Sequence, residues 1–232
     1  VDARVGVLRR AAALLEERQH VFAAQVVHEG GRDRVSAYAE VEEAIDFLAW
    51  YAAEAERLFA RLPPQSGHGV EPRGVVAVIP PWNFPLSIPC GMTAAALACG
   101  NAVILKPAEQ TPLVAGRLVE LLWEAGVPRS ALIHLPGRGE TVGAALAEHP
   151  DVAMIAFTGS RAVGTALHET VTRVVPSDGG LKTVVAEMGG KNPILVFADA
   201  DLDEAVAAIL PSAFGHAGQR CSAASRVLVE RS

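Results

Sequence analysis

The chain has 232 residues, half of them apolar and a fifth charged, with a formal net charge of −6 at neutral pH. At roughly 100–200 residues per domain, that length holds one large domain or one domain with part of a second. The composition buries a core and excludes a disordered chain. The acidic balance excludes the basic footprint of a nucleic-acid or anionic-membrane binder, which leaves a small-molecule substrate as the expectation.

Cys90, Cys99 and Cys221 form no CxxC pair, a usage that fits a reducing compartment rather than a disulfide framework. Val1-Asp2-Ala3-Arg4 leads straight into an amphipathic pattern, with no signal peptide and no apolar run near the ~18–20 residues of a membrane span. A cytoplasmic location is therefore expected. The seven histidines show no metal-ligand spacing, so no metal site is expected.

Along the chain, the first sixty residues predict two helices. One carries Val7, Leu8, Ala11, Leu14 and Leu15 and stops at Gly30-Gly31; the other carries Val41, Ile45, Leu48, Ala52, Ala55 and Leu58 and ends at Pro63-Pro64. Glu42, Glu43, Glu54, Glu56 and Arg57 read as the solvated face between them. From Gly74 onward short apolar runs alternate with helical stretches. Strands are predicted at 75–79, 102–105, 131–135 and 153–157, and helices at 88–99, 112–125, 141–148 and 161–172. Gly126 and Pro128 supply helix-stop chemistry. Repeated βα units of this kind imply a doubly wound parallel sheet, which binds ligands beyond the carboxyl ends of its strands. Further strands are predicted at 183–187, 193–197 and 226–229. The acidic run from Asp199 to Glu204 suits a helix start.

The loops after the strands carry the polar residues. Pro80-Pro81-Trp82-Asn83-Phe84-Pro85 is either a proline-stiffened turn or a rigid mount for the Asn83 amide as donor to an oxyanion. Lys106 and Glu109 form either an exposed ion pair or a clamp for a ribose diol. Gly137 to Gly143 reads GxGxxxG, one residue longer than a dinucleotide fingerprint, and specifies little by itself. Phe157-Thr158-Gly159-Ser160 opens a helix as either an ordinary N-cap or a phosphate cradle. In Gly218-Gln219-Arg220-Cys221-Ser222, a thiol beside Arg220 in a glycine-rich loop suits a nucleophile. Cys90 and Cys99 read as packing residues. His216 reads as a residue near a helix end, or as the base of a Cys–His hydrolase.

In their order along the βα units, Pro-Trp-Asn-Phe-Pro, Lys-Pro-Ala-Glu-Gln-Thr-Pro, Phe-Thr-Gly-Ser, Glu-Met-Gly-Gly-Lys-Asn and Gly-Gln-Arg-Cys-Ser resemble the aldehyde dehydrogenase superfamily from Val1 to Ser232. Residues 76–91, 186–193 and 214–227, above all Cys221-Ser222-Ala223, look most like its delta-1-pyrroline-5-carboxylate dehydrogenase branch. That branch oxidises L-glutamate γ-semialdehyde to glutamate in proline catabolism. The resemblance implies an α/β chain with N-terminal helices and a doubly wound, Rossmann-like NAD-binding domain over residues 1–187. Residues 188–232 would be the truncated start of a second α/β catalytic domain, making the chain a fragment that ends just after the cysteine.

It further implies Cys221 as nucleophile, Asn83 and the Cys221 backbone NH as oxyanion donors, and Glu187 as the base that hydrolyses a thioester. NAD would be held by Lys106 and Glu109 at the adenosine ribose, by Gly159 and Ser160 at the pyrophosphate, and beside Pro81 and Trp82. Ser222 would meet the substrate carboxylate. Glu109 would repel the 2′-phosphate of NADP. The resembled whole protein is a homo-oligomer, in some members fused to proline dehydrogenase. Alternatives are another semialdehyde dehydrogenase, such as the succinate enzyme, or a catalytically incomplete NAD-binding fragment.

Overall fold

A computed structural model describes residues 1–61 and 70–231. The predicted helix end at Pro63-Pro64 lies outside these residues. Where two N-terminal helices were expected there are three: α1 (Asp2–Glu17), α2 (Gln19–Gly30) and α3 (Arg34–Ala60). The unexpected break falls at Arg18, whose backbone leaves the helical region (φ −105, ψ 17). Its guanidinium forms a two-pronged ion pair with Glu124, with N···O distances of 2.6 and 2.7 Å. Neither glycine nor proline marks this break, so the apolar pattern runs through it. Gly31 ends α2 in the left-handed region (φ 66), and Asp33 caps α3 by accepting from Ser36 N. Leu58, expected on the buried stripe of α3, is 40% exposed.

The remaining elements alternate: β1 (Val75–Ile79), α4 (Ser87–Ala98), β2 (Ala102–Leu105), α5 (Pro112–Glu124), β3 (Leu132–His134), α6 (Ala144–Glu148), β4 (Val152–Gly159), α7 (Arg161–Val171), β5 (Thr183–Met188), β6 (Asn192–Val196), α8 (Leu202–Phe214) and β7 (Ala224–Val229). The helix expected at 141–148 begins instead as a π-helical turn over Gly139–Gly143. Two compact units divide the chain, Val1–Ala186 and Glu187–Ser232.

The first unit holds a five-stranded sheet in the order β3-β2-β1-β4-β5, with parallel pairing of β1 to β2, β1 to β4 and β2 to β3. Side chains alternate between its faces. Val76, Val78, Val103, Leu105 and Ala156 join the core formed with α1 to α5, which includes Leu8, Leu15, Leu48, Leu118 and Leu122. Ala77, Ile79, Ile155 and Phe157 are buried outside that cluster, and α6 and α7 contact β4. Covering both faces explains why the strands read as continuous apolar runs. Buried Lys182 donates to the carbonyls of Leu146, Ala147 and His149 at 3.3, 2.6 and 2.8 Å, closing the end of α6.

In the second unit β6 and β7 pair in parallel. α8 starts at Asp201, whose carboxylate accepts from Asp203 N and Glu204 N at 2.9 and 3.1 Å. Among the described residues no helix is long and apolar enough to cross a membrane.

Candidate active site

Strand order in the first unit reverses between β1 and β4, whose carboxyl ends meet in the pair Ile79↔Phe157. A reversal of this kind opens a crevice beyond the strand ends. Pro81, Trp82 and Asn83 follow β1, and Gly159 and Ser160 close β4, so both sets lie at the reversal. Ser160 is the N-cap of α7 and accepts from Val163 N at 3.3 Å. The cap reading of this hydroxyl holds, and the α7 N-terminus it opens is the end of a helix that favours an anion. Gly159 is required by packing: a Cβ there would lie 2.6 Å from Cζ of buried Phe157.

Next to β1, the residues after β2 and β3 converge. Lys106 N bonds to Val78 O at 2.9 Å, which ties the loop to the sheet. The Lys106 side chain is buried, its Nζ 2.8 Å from Pro107 O and 3.9 Å from Glu109 Oε2. Its stem runs under Gly143, where an added Cβ would meet Lys106 Cδ and Cε at 3.8 Å. Glu109, with a side chain 42% exposed, accepts from Gly139 N at 3.2 Å. The pair is therefore not the exposed ion pair of one sequence reading, because its cationic half is sunk in the protein. Burial holds the Lys106 pKa below the ordinary lysine value, while the nearby carboxylates of Glu109 and Glu140 oppose that shift. A fixed ammonium beside an open carboxylate can donate to and accept from the two hydroxyls of a ribose. The π-helical turn carrying the GxGxxxG stretch serves here as a backbone partner of Glu109.

The turn bearing Asn83 is held by two residues that the sequence reading passed over. Arg32 and Glu40 form a buried ion pair at 2.8 Å, with side chains only 2% and 0% exposed. Arg32 Nη1 also donates to Asn83 O at 2.8 Å, and its guanidinium lies 4.3 Å from the Phe84 ring centroid. Glu40 Oε1 accepts from Leu86 N at 2.8 Å and from Ser87 N at 3.3 Å, capping α4 from another helix. Burial pushes the Glu40 carboxyl above the usual carboxylate range, opposed by the Leu86 N–H and the Arg32 charge.

In the second unit Cys221 is exposed, whereas Cys90 is buried with its thiol pushed up to about 12 by desolvation. Cys99 is partly buried. Asn192, at the start of β6, donates to Cys221 O at 2.7 Å and to Ala223 O at 3.2 Å, fixing the loop on both sides of Ser222. In the sequence Asn192 stood out only as the last residue of the Glu-Met-Gly-Gly-Lys-Asn motif, with no role of its own. His216, Ala217 and Gly218 all have positive φ (54, 55 and 74), so the backbone entering the cysteine loop is constrained. Ser222 and Glu187 are exposed. Lys106, Glu109 and Gly139 are thus brought together in the first unit, and Asn192, Cys221 and Ser222 in the second. Among the described residues no group of three or more His, Cys, Asp or Glu forms a metal cluster.

Residues 1–232 match the aldehyde dehydrogenase family. The chain is 44% identical over 234 residues to the 1-pyrroline-5-carboxylate dehydrogenase of Bacillus subtilis (strain 168), covering 98% of this chain and 45% of that protein. It superposes with a TM-score of 0.90 on 1-pyrroline-5-carboxylate dehydrogenase from Thermus with bound NAD, at 40% identity, covering 97% of this chain and 45% of the other. Proline utilization A from Bdellovibrio bacteriovorus gives a TM-score of 0.91 at 42% identity, covering 97% of this chain and 24% of the other. The chain therefore spans about half the length of the curated relatives it matches.

Proposed function

This chain belongs to the aldehyde dehydrogenase family, and on that premise we propose that it carries the cofactor site and nucleophile of an NAD-dependent enzyme oxidising L-glutamate γ-semialdehyde to glutamate. The observation that carries this reading is the exposed Cys221, set in a loop whose carbonyls are held by Asn192. The similarity to 1-pyrroline-5-carboxylate dehydrogenases and to proline utilization A supports this semialdehyde over succinate semialdehyde. Residues 1–187 are proposed as the cofactor-binding part and residues 188–232 as the start of the catalytic part.

The Cys221 thiolate adds to the aldehyde carbon, forming a C–S bond and an alkoxide. The Asn83 amide and the Cys221 backbone NH donate to that oxygen, a type of stabilisation whose loss costs about 100–1000-fold in rate. NAD, when bound, supplies the hydride acceptor by which the thiohemiacetal becomes a thioester. Lys106 and Glu109 would hold the adenosine ribose, the α7 N-terminus opened by Ser160 would receive the pyrophosphate, and Pro81 and Trp82, just after β1, would lie beside the cofactor. Glu187 takes a proton from water as it attacks the thioester carbon, and the Cys221 thiolate leaves. Ser222 donates to the substrate carboxylate. The whole protein is proposed to act in the cytoplasm as a homo-oligomer, and fusion to a proline dehydrogenase is the arrangement that the likeness to proline utilization A suggests.

Rapid-mixing measurement of NADH formation tests this reading, with pyrroline-5-carboxylate and succinate semialdehyde as rival substrates. It should be run on the 232-residue chain and on a polypeptide carrying it at the relatives' length. A burst that prefers pyrroline-5-carboxylate and vanishes in Cys221→Ser is expected from the longer polypeptide. Cofactor binding with no burst from either would favour the binding-fragment reading, and a preference for succinate semialdehyde would move the substrate assignment.

A further inference from the structure

We propose that Arg32 and Glu40 are positioning residues for the reaction, setting the Asn83 amide by gripping the main chain around it; this rests on the oxyanion role proposed for Asn83. Beyond their mutual ion pair, the side-chain hydrogen bonds of Arg32 and Glu40 among the described residues end on the turn after β1. Arg32 Nη1 meets Asn83 O, the guanidinium faces the Phe84 ring, and Glu40 Oε1 meets Leu86 N and Ser87 N. Four of the five residues from Asn83 to Ser87 are touched by two side chains from elsewhere in the chain.

The chain geometry around Arg32 suits that task. Gly31 adopts φ +66, turning the backbone sharply before Arg32, and a Cβ at Gly30 would lie 3.5 Å from Pro85 Cγ. The link between α2 and α3 is thus packed directly against the turn. A fully desolvated ion pair is a poor choice for stability alone, because well-packed apolar residues of similar volume do as well or better. What an apolar pair cannot do is donate to a carbonyl and accept from two amides at once. The buried charges give the turn one set of positions, and the Asn83 side chain inherits its place from the carbonyl that Arg32 holds.

The test is a double-mutant cycle in a polypeptide carrying this segment at the relatives' length. Arg32→Met with Glu40→Gln removes both charges while leaving an amide oxygen for Leu86 N and Ser87 N, so the fold is kept and the anchor on Asn83 O is lost. The double variant should bind NAD with parental affinity and slow the NADH burst at least tenfold, since a misplacement of ~1 Å at a reacting centre can cost ~100-fold. In an Asn83→Ala background the same change should cost less than about twofold, the coupling that marks residues acting through one another. Arg32→Lys, which keeps a charged donor, should recover most of the rate. Equal losses with and without Asn83, or a double variant at the parental rate, would overturn the positioning role while leaving the cysteine chemistry intact. An Asn83→Ala variant that bursts at the parental rate would instead overturn the oxyanion reading, and this proposal with it. Should the double variant fail to fold, Arg32→Gln carries the cycle with the same criteria, and Arg32→Lys remains its rescue.

Discussion

Asn192 donates its side-chain amide to the main-chain carbonyl of Cys221 at 2.7 Å and reaches Ala223 O at 3.2 Å. A single side chain at the start of β6 thus holds the loop on either side of Ser222. Asn192→Ala should slow the NADH burst by up to about thirtyfold, each of the two lost hydrogen bonds being worth roughly 1 kcal/mol. Asn192→Asp should be worse, because a carboxylate would face two carbonyl oxygens. Stopped-flow comparison of the two variants decides this, and parental rates in both would show that Asn192 does not set the cysteine loop for reaction.

Thiol chemistry should separate the cysteines. Cys90 is fully enclosed and its thiol is pushed up to about 12, so almost no thiolate exists at pH 8. Iodoacetamide at pH 8 should label exposed Cys221 in the folded chain and leave Cys90 unmodified. Both should react in concentrated urea. Peptide mass spectrometry reads the order directly, and early labelling of Cys90 would contradict the burial described for α4.

The ribose role proposed for Glu109 predicts two linked effects. Glu109→Ala should raise the Kd for NAD at least tenfold, since hydrogen bonds to charged groups are worth ~1.5–3 kcal/mol. It should also narrow the expected preference over NADP, because the carboxylate proposed to repel a 2′-phosphate is gone. Calorimetric titration with both nucleotides tests this; an unchanged ratio would reject the ribose role of Glu109.

Lys106 carries a pH prediction. Its folded pKa is lowered chiefly by burial, so the fold favours the neutral amine relative to the unfolded chain. Its contribution to stability is present above the ordinary lysine pKa of 10.5 and is lost as pH falls through the lowered value. Lys106→Met should therefore raise the Tm of the cofactor-free chain at pH 7 while weakening NAD binding, and the Tm gain should shrink as pH approaches 10.5. A lower Tm at pH 7 would show that the ammonium is held more favourably than its burial implies.

At the α7 N-terminus, Ser160→Ala should cost about 1 kcal/mol as a lost N-cap, whereas Gly159→Ala should cost more, because the new Cβ would meet Phe157 Cζ at 2.6 Å. Urea unfolding of both variants ranks them, and a Gly159→Ala variant as stable as the parent would contradict the packing described at the end of β4.

Much of the sheet was legible because a parallel strand covered on both faces must be apolar throughout, as Val75–Ile79 and Ala102–Leu105 are. The family was legible because its polar residues cluster in loops immediately after strands, where Asn83, Lys106 and Ser160 stand. The break at Arg18 was not legible, since its counter-charge Glu124 lies 106 residues away in sequence. Arg32 and Glu40 were missed for the same reason, and so was the role of Asn192, which the sequence showed only as the end of a motif. Each acts on main-chain groups of a distant segment, and backbone carbonyls and amides leave no trace in residue type. The burial of Lys106 was also unreadable, because a lysine near a glutamate looks the same in sequence whether it is exposed or sunk under a neighbouring turn.

In the proposed reaction Cys221 forms a covalent acyl adduct which Glu187 clears. It is tested most directly by quenching a Glu187→Gln variant, at the relatives' length, seconds after mixing with NAD and pyrroline-5-carboxylate, and weighing the peptide that contains Cys221. A thioester adduct on Cys221 should accumulate in this variant and be absent without NAD. An unmodified Cys221 peptide from a preparation that still produces NADH would contradict it.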